Sequence, residues 1–354
     1  MLAALDDIMA HIDPLDDEAL AQARAKWNAV AKPIGSLGEF ELMVEKIAGL
    51  TGSIDVDIGK RAVIVLCADN GVVAQGVSQS ESDITTVIAG SVARGISSVC
   101  RMAQTSGTDA FSVDMGMKTP SDVEGVIDRS VARGTGDISL GQAMSRDQAL
   151  EAVRTGIDLV GHFKDMGYKI LATGEMGIGN TTTSSAMAAA FLRLPVEEVT
   201  GRGAGLSDAG LQRKIDAIER ALAVNNPDPD DALDVLSKLG GFDIAGLAGM
   251  FIGGAVHRVP IVIDGFISAL SAYTAAKLCP ACTCAMLGSH VSAEPAARML
   301  LEGIGVEPVI RAGLRLGEGT GAVLLFPLLD AALALYNGTT FDATGIEAYE
   351  VNPQ

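Results

Sequence analysis

Hydrophobic and polar positions follow two alternating periods along this chain, and the change of period predicts strands and helices in turn. Short, continuous apolar runs predict buried strands at Arg61–Ala68 and at residues 109–114, 168–172, 260–263 and 284–288. Helical periodicity predicts helices at residues 17–31, 39–50, 184–192, 211–224 and 322–336, at Ala232–Leu239, from a capping box at Ser145 to about Phe163, and in an alanine-rich segment ending at Leu278.

Strands and helices alternate from residue 61 to residue 325, which favours an α/β fold with a doubly wound, mainly parallel, Rossmann-like sheet. The N-terminal helices have no strands between them. We predict that residues 1–58 and 326–354 form a small helical domain beside an α/β substrate-binding and catalytic domain of residues 59–325. Ligands bind beyond the carboxyl ends of parallel strands, so the polar strand ends predict a pocket. These ends are Asp69, Asn70, Glu175, Asp264 and Ser289.

Composition narrows the classes of protein. Hydrophobic residues make up 48 % of the 354 residues and aromatic residues only 4 %, as suits helices packed on a parallel sheet. The net charge of −18 argues against a nucleic-acid partner. The start of the chain is acidic, unlike a secretory signal, and apolar stretches such as residues 244–256 are broken by glycine and too short to cross a bilayer. We therefore expect a cytoplasmic protein that binds no membrane.

The five cysteines are an odd number in a long chain, which does not resemble a disulfide framework. Cys279, Cys282 and Cys284 include the C-x-x-C spacing that zinc and redox sites also use. A structural zinc site needs a second pair of ligands, and only His290 lies nearby in sequence. We therefore favour buried, reduced thiols leading into a strand, and predict neither a metal site nor a cofactor.

Two glycine-rich segments carry candidate chemistry. Residues 174–185, GEMGIGNTTTSS, join a predicted strand to a predicted helix, and their backbone amides and hydroxyls suit a phosphate group. The segment lacks the lysine of a P-loop and the glycine spacing of the dinucleotide fingerprint. In residues 315–321, RLGEGTG, the flanking glycines would let a substrate approach Glu318, which could act as a base. The alternative for residues 174–185 is a turn that serves only packing. The alternative for Glu318 is an acidic residue at a helix start, where a negative charge is favourable.

Taken in order, short motifs from about residue 15 to residue 335 closely resemble those of the nicotinate-nucleotide:dimethylbenzimidazole phosphoribosyltransferase family. Each motif is weak alone, but the ordered set is specific. The motifs are KPxGSLG at 32–38, DxGV at 69–72 with GVS at 76–78, GEMGIGNTT at 174–182, GxGL at 203–206 with Lys214, DGF at 264–266, SHxSAEP at 289–295 and RLGEG at 315–319.

This resemblance implies an enzyme that moves ribose 5-phosphate from nicotinate mononucleotide to an aromatic base, with inversion to the α-riboside, during assembly of the cobamide lower ligand. It implies that Glu318 is the catalytic base and that Glu175 lies near the ribose or the developing cationic carbon. The donor-binding residues that it implies are Gly177, Ile178, Gly179, Asn180, Thr181, Thr182, Gly205, Lys214, Asp264 and Ser292. The acceptor-binding residues are Asn70, Ser80, Leu316 and Gly317.

The acceptor region departs from the family pattern. Asn70 stands where many members carry histidine, and residues 79–81, QSE, replace an aromatic-proline pair. The acceptor therefore stays open between a benzimidazole, a purine and a phenol, the last being used by a branch of paired, unlike subunits. The resemblance also implies a dimer, either a homodimer or a heterodimer with a paralogue.

Other interpretations compete with these. The chain could be a non-catalytic partner of an active paralogue, although retention of Glu318 and of residues 174–185 argues against this. A NAD-dependent dehydrogenase is suggested by fold class alone and lacks the fingerprint. His290 matches a family motif, but we favour a hydrogen-bonded structural histidine over a catalytic one because Glu318 already supplies a base.

Overall fold

Six strands form one parallel sheet in the computed structural model, which describes residues 7–349. The strand order is β3-β2-β1-β4-β5-β6, and every neighbouring pair is parallel. The predicted doubly wound α/β fold is thereby confirmed. The strands are β1 Arg61–Ala68, β2 Asp109–Gly116, β3 Ile127–Asp128, β4 Ile170–Met176, β5 Ile261–Ile263 and β6 Met286–Gly288.

The residues of the central strand β1 face alternately towards two separate cores. Ala62, Ile64 and Leu66 pack into the larger core on one face of the sheet, whereas Val63 and Val65 pack into a second core on the other face. Successive strand residues point to opposite faces, so a strand covered on both sides reads as a continuous apolar run. This explains why β1 has no polar alternation in the sequence.

Helices cover both faces of the sheet. Within residues 7–349, two segments are 3₁₀ helices, Gly71–Gln75 and Pro280–Ala285. The α-helices are α1 Asp17–Ala29, α2 Glu39–Thr51, α3 Asp83–Ala93, α4 Ser98–Gln104, α5 Arg146–Asp165, α6 Asn180–Leu192, α7 Val196–Val199, α8 Asp208–Asn225, α9 Ala232–Leu239, α10 Phe242–His257, α11 Phe266–Leu278, α12 Ala297–Gly303, α13 Thr320–Tyr336 and α14 Phe341–Thr344.

Several local signals predicted these elements well. The strand Arg61–Ala68 and the helix Ala232–Leu239 have the predicted bounds, and the capping box between Ser145 and Gln148 starts α5. The predicted strand at residues 284–288 is shorter, because Cys284 belongs to a 3₁₀ helix and only Met286–Gly288 pairs with β5.

The long helix α10 was not predicted. It is apolar on all sides and rich in glycine, so it shows none of the amphipathic periodicity by which a surface helix is found. The structure explains the glycines: a Cβ on Gly249 would overlap the Val153 carbonyl oxygen of α5, and one on Gly156 would overlap the Gly246 carbonyl oxygen. Glycine thus lets α5 and α10 approach closely at the centre of the larger core.

The N-terminal helices α1 and α2 share a small third core with the end of α13. The Trp27 and Tyr336 rings lie 4.9 Å apart in it. However, α13 contains Pro327 and runs across the predicted domain boundary at residue 326, and its Val323 and Phe326 pack against the sheet. The two-domain division therefore stays a prediction, and its residues 1–6 and 350–354 lie outside the described part of the chain.

Between residues 7 and 349, none of the helices combines the length and the apolar character needed to cross a membrane.

Candidate active site

A cavity of about 220 Å³ opens at the carboxyl ends of β4, β5 and β6. It lies beside the point where the strand order reverses between β1 and β4, the usual ligand position in such sheets. Many of the residues predicted for the site line this cavity. They are Glu175, Asp264, Ser292, Leu316, Gly317, Glu318 and the loop of residues 177–181.

Glu318 sits in a strained turn. Its φ is 61°, and its neighbours Gly317 and Gly319 have φ values of 84° and 87°. A left-handed conformation costs an ordinary L-residue roughly 1–2 kcal/mol, and such strain concentrates at functional sites. Glu318 Oε2 accepts a hydrogen bond from the Val99 backbone N–H at 3.3 Å, and burial raises the pKa of this half-buried carboxyl. A raised pKa makes the carboxylate a stronger proton acceptor.

The carboxylate of Asp264 holds this turn in place. Its two oxygens accept hydrogen bonds from Gly319 N at 3.2 Å and from Ala322 N at 2.9 Å, in the first turn of α13. A negative charge is favourable at a helix N-terminus, where backbone N–H groups lack partners. Asp264 therefore lines the cavity, and its hydrogen bonds also fix the backbone that follows Glu318.

Glu175 is the second acidic residue of the cavity, and it is almost completely buried. Burial raises its pKa to about 8, the hydrogen bond from Asn180 opposes the rise, and the charges of Asp243, Asp264 and Glu318 add to it. Oε1 of Glu175 lies 2.8 Å from the position that a Cβ on Gly317 would occupy. At neutral pH Glu175 is therefore mostly protonated.

The glycine loop joins β4 to α6. Gly179 has a φ of 92° at the start of the helix, and a Cβ on Gly177 would lie 2.5 Å from the Ala68 carbonyl oxygen. Only glycine fits both positions without strain. The loop consequently runs close to the end of β1 with its backbone open to the cavity.

Lys214 lies directly behind the glycine loop rather than in the cavity wall. Its Nζ donates hydrogen bonds to Thr181 Oγ1 at 3.1 Å and to the Gly201 carbonyl at 3.0 Å, and its side chain is fully buried. Burial lowers its pKa to about 8, and the nearby Glu294 partly offsets this effect. The ammonium thus places a positive charge behind the hydroxyl of Thr181.

Four other residues predicted for the site do not line the cavity, and their roles stay predictions. Asn70 is 1 % exposed and lies behind the glycine loop, because the chain turns at once into the 3₁₀ helix Gly71–Gln75. Thr182 is fully buried within α6. The Gly205 carbonyl accepts a hydrogen bond from Gln79 Nε2, and Ser80 N donates one to Ser78 Oγ.

The cavity also includes residues that the sequence interpretation had not assigned to binding. Gln79 lines the cavity and lies within residues 76–82, which contain no helix or strand. Arg202, Glu294 and His290 line the cavity as well, and the last two belong to the SHxSAEP motif. That motif was the available signal for them.

Hydrogen bonds define the tautomer of His290. Ser289 Oγ donates to the Ile263 carbonyl at 2.5 Å, so the 3.0 Å hydrogen bond between Ser289 Oγ and His290 Nδ1 must be donated by the ring. Burial lowers the pKa of the imidazole, which favours the neutral form. His290 therefore carries its proton on Nδ1 and leaves Nε2 as an acceptor in a residue that borders the cavity.

None of the five cysteines lines this cavity. All five are free thiols, and Cys279 and Cys282 form a turn in which Cys282 N donates to the Cys279 carbonyl at 3.0 Å. Among the described residues, no group of three or more His, Cys, Asp or Glu side chains is arranged to hold a metal ion.

Comparison with known proteins identifies the family. A family model described as phosphoribosyltransferase matches residues 12–346. A relative from Acetivibrio thermocellus, named nicotinate-nucleotide–dimethylbenzimidazole phosphoribosyltransferase, is 44 % identical over 340 residues, covering 96 % of this chain and 97 % of its own. The chain belongs to this phosphoribosyltransferase family.

Other members of the family agree in sequence and in structure. A relative of the same name from a Roseiflexus species is 45 % identical over 348 residues, with 98 % of each chain covered. The crystal structure of CobT from Thermus thermophilus superposes with a TM-score of 0.88 at 36 % identity, covering 93 % of this chain and 99 % of that one. The family predicted from the ordered motifs is confirmed, as is the prediction of a phosphoribosyltransferase. The alternative of a non-catalytic partner subunit gains no support.

Proposed function

We propose that this chain transfers ribose 5-phosphate from nicotinate mononucleotide to an aromatic lower-ligand base, with inversion to the α-riboside, during assembly of the cobamide nucleotide. The observation that carries the proposal is the convergence of Glu318, Glu175 and the glycine loop on one cavity. The loop suits the phosphate of the donor, and the two carboxyl groups suit the reacting carbon and the acceptor. The names of the relatives support this choice of donor and of acceptor class.

The leaving group needs little help from the protein. The pyridinium nitrogen of the donor is cationic and departs as a neutral ring nitrogen. The acceptor nitrogen or hydroxyl, in contrast, must lose a proton as the new bond forms. Glu318 takes this proton in our proposal, because burial raises its pKa towards the working pH. General base catalysis of this kind typically contributes ~10²- to 10⁴-fold, and positioning of the two substrates supplies much of the rest.

Glu175 stabilises the positive charge that develops at the anomeric carbon. With a pKa of about 8 it is mostly neutral before the donor binds. A cationic ring or an oxocarbenium-like carbon within a few ångströms favours its ionised form, so binding of the cationic donor lowers the Glu175 pKa and the proton passes to solvent. A fixed carboxylate in a buried site acts more strongly than the same group in water.

The donor phosphate is bound by the loop of residues 177–181, the N-terminus of α6 and Ser292 in our proposal. Lys214 contributes its charge through Thr181, to which it donates a hydrogen bond. This arrangement supplies the positive charge that an anion needs in a protein whose net charge is −18. Binding of the phosphate therefore depends on local groups and not on the overall field of the protein.

The acceptor binds against Leu316 and residues 77–79, which line the same cavity as Glu318. Leu316 is 57 % exposed and offers an apolar surface for an aromatic ring. The neighbouring Ser78 and Gln79 are polar, so a benzimidazole, a purine and a phenol are the candidates to compare. Asn70, Ser80, Thr182 and Gly205 would then act by supporting the residues that touch the substrates.

A dimer in the cytoplasm completes the proposal. Leu324, Leu328 and Leu335 are each more than a third exposed on the outer side of α13, which suits contact with a second copy. Sedimentation of the purified protein tests this, and we expect Leu328→Glu to shift a dimer towards the monomer. The five free thiols are consistent with a reducing compartment.

The test of the proposed function is direct. The purified chain is incubated with nicotinate mononucleotide and a panel of benzimidazoles, purines and phenols, and products are detected by mass spectrometry. We expect nicotinate and an α-riboside phosphate, with the anomeric configuration read from proton coupling. Glu318→Gln serves as the control for background reaction. If no member of the panel yields a riboside phosphate, the proposed function is wrong.

A further inference from the structure

Behind the glycine loop, the fully buried Asp243 lies in the first turn of α10 and does not border the cavity. It is connected to the site through the side-chain amide of Asn180. Asn180 Nδ2 donates one hydrogen bond to Asp243 Oδ2 at 2.9 Å and another to Glu175 Oε2. The two hydrogens of a single amide are thus shared between a buried carboxyl group outside the cavity and one inside it.

Asp243 also supports the backbone of the glycine loop. Its Oδ2 lies 2.8 Å from the position that a Cβ on Gly177 would occupy, and Asn180 Nδ2 lies 3.1 Å from the same position. The loop therefore rests directly on this carboxylate and this amide. A shift of Asp243 would move the loop and Glu175 together.

The side chain of Asn70 packs beside the same group. Asn70 Oδ1 and Asp243 Oδ1 both lie within 2.6 Å of the position that a Cβ on Gly241 would occupy. Thr183 Oγ1 lies at hydrogen-bonding distance from Asn70 Oδ1, at 3.4 Å, and from the Asn180 carbonyl, at 3.0 Å. Only glycine at residue 241 leaves room for both oxygens, so Asn70 and Asp243 are held near each other.

We propose that Asp243 is a positioning residue for the transfer reaction, which acts through Asn180 to orient Glu175 and to hold the glycine loop beneath the donor. This inference rests on the proposed function. In it, the Asn180 amide connects Asp243 at the start of α10 with Glu175 in β4. Asn70, predicted to contact the acceptor, packs beside this group instead.

The charge of Asp243 also influences when Glu175 ionises. Burial raises the pKa of Asp243 to about 6 and that of Glu175 to about 8, so Asp243 ionises first. Its charge then adds to the rise of the Glu175 pKa. The other titratable groups around the pair are Cys67 and Asp69 from β1, Asp264 after β5 and Glu318 before α13.

Two substitutions separate position from charge. Asp243→Ala removes the acceptor for the Asn180 amide, whereas Asp243→Asn keeps an oxygen there and removes the charge. The matched control is Asp114→Asn, a buried carboxylate at the end of β2 that accepts from Gly116 N and Met117 N and pairs with Arg133 outside the cavity. Circular dichroism and thermal unfolding establish that each variant is folded.

We expect Asp243→Ala to lower kcat/KM for nicotinate mononucleotide by ~10²-fold, since a displacement of about 1 Å in an active site has an effect of this size. Asp243→Asn should recover most of this loss. Its kcat/KM should also reach the plateau at lower pH than in the unchanged protein, because the charge that raises the Glu175 pKa is gone. Asp114→Asn should leave the pH profile unmoved.

A second measurement is independent of turnover. Carboxyl ¹³C shifts of labelled glutamate, assigned with Glu175→Gln, report the titration of Glu175 directly, and its midpoint should fall in Asp243→Asn. Unchanged kinetics in Asp243→Ala would overturn the inference. So would equal losses in both variants with no movement of the pH profile or of the ¹³C midpoint, which is the outcome of a purely structural role. An unchanged protein that makes no riboside phosphate would instead refute the proposed function.

Discussion

Glu175 and Gly317 lie against each other in the lining of the cavity. The Glu175 Oε1 atom lies 2.8 Å from where a Cβ of residue 317 would stand, and residue 317 has a φ of 84°. Two motifs that are far apart in the sequence are therefore fitted to each other, and the absence of a side chain at 317 decides where the carboxyl group lies.

Gly317→Ala should displace Glu175 and lower kcat/KM by at least ~10-fold, because the reaction rate falls steeply when a side chain in an active site is misplaced. Gly313→Ala is the matched control: its φ is 65°, and nothing lies within 4 Å of the added Cβ. Both variants carry the strain of a left-handed residue, about 1 kcal/mol. Equal activity in the two variants, at similar thermal stability, would show that the contact with Glu175 is unimportant.

Glu318→Gln should be folded and nearly inactive. The amide keeps the shape of the side chain but cannot take a proton, so we expect kcat to fall by ~10²- to 10⁴-fold. Binding of nicotinate mononucleotide, measured by calorimetry, should change little. The control is Glu302→Gln, on the exposed surface of α12. Near-normal turnover in Glu318→Gln would show that Glu318 is not the base.

Lys214→Met should weaken binding of the donor more than it slows the reaction. Loss of a hydrogen bond to a charged group corresponds to roughly 10- to 100-fold, seen as a raised KM for nicotinate mononucleotide. Because the Lys214 pKa is about 8, KM in the unchanged protein should rise above that pH, and this rise should be absent in the variant. Lys277→Ala, an exposed position on α11, is the control. An unaltered KM in Lys214→Met would exclude Lys214 from the phosphate site.

Glu175→Gln should change how stability depends on pH. The folded-state pKa of Glu175 is about 8 and its ordinary value is 4.5, so the folded protein holds this proton more tightly than the unfolded chain. Its contribution to the free energy of unfolding is therefore complete below pH 4.5, declines as the pH rises above that value, and is lost once the pH passes about 8.

Urea unfolding at several pH values measures this effect. The free energy of unfolding should fall less steeply with rising pH in Glu175→Gln, by a difference on the order of a few kcal/mol across this range. Parallel curves for the variant and the unchanged protein would mean that Glu175 titrates normally.

The fold was predictable where local pattern and burial agree. Arg61–Ala68 has the composition of a strand buried on both faces, and nothing in its neighbourhood competes with that interpretation. Residues 242–257 had no such signal, since helix propensity disfavours glycine, and only the close approach of α5 and of the neighbouring strands explains its use. Helix α6 starts at Asn180, whereas residue 184 was predicted as its start. The prediction was late because the β-branched threonines of the first turn favour a loop over a helix.

The site was predictable where a polar residue stands among glycines, as Glu175 and Glu318 do. The position of Asn70 was not, because the rule that strand ends face the ligand does not say which way the next turn sends a side chain. Asp243 was not found either. It lies 63 residues from its partner Asn180 in the sequence, and no local pattern distinguishes it from an ordinary acidic residue in the first turn of a helix.

The two sides of the cavity are built from different material. The side that we propose for the donor phosphate is formed by the end of β4 and the start of α6, whereas the side around Gln79 belongs to residues 76–82, which contain no helix or strand. Surface loops tolerate insertion and replacement far better than sheet edges do. If the proposed binding sites are right, substitutions in this one short surface segment would alter the choice of acceptor base and leave the sugar-phosphate site intact.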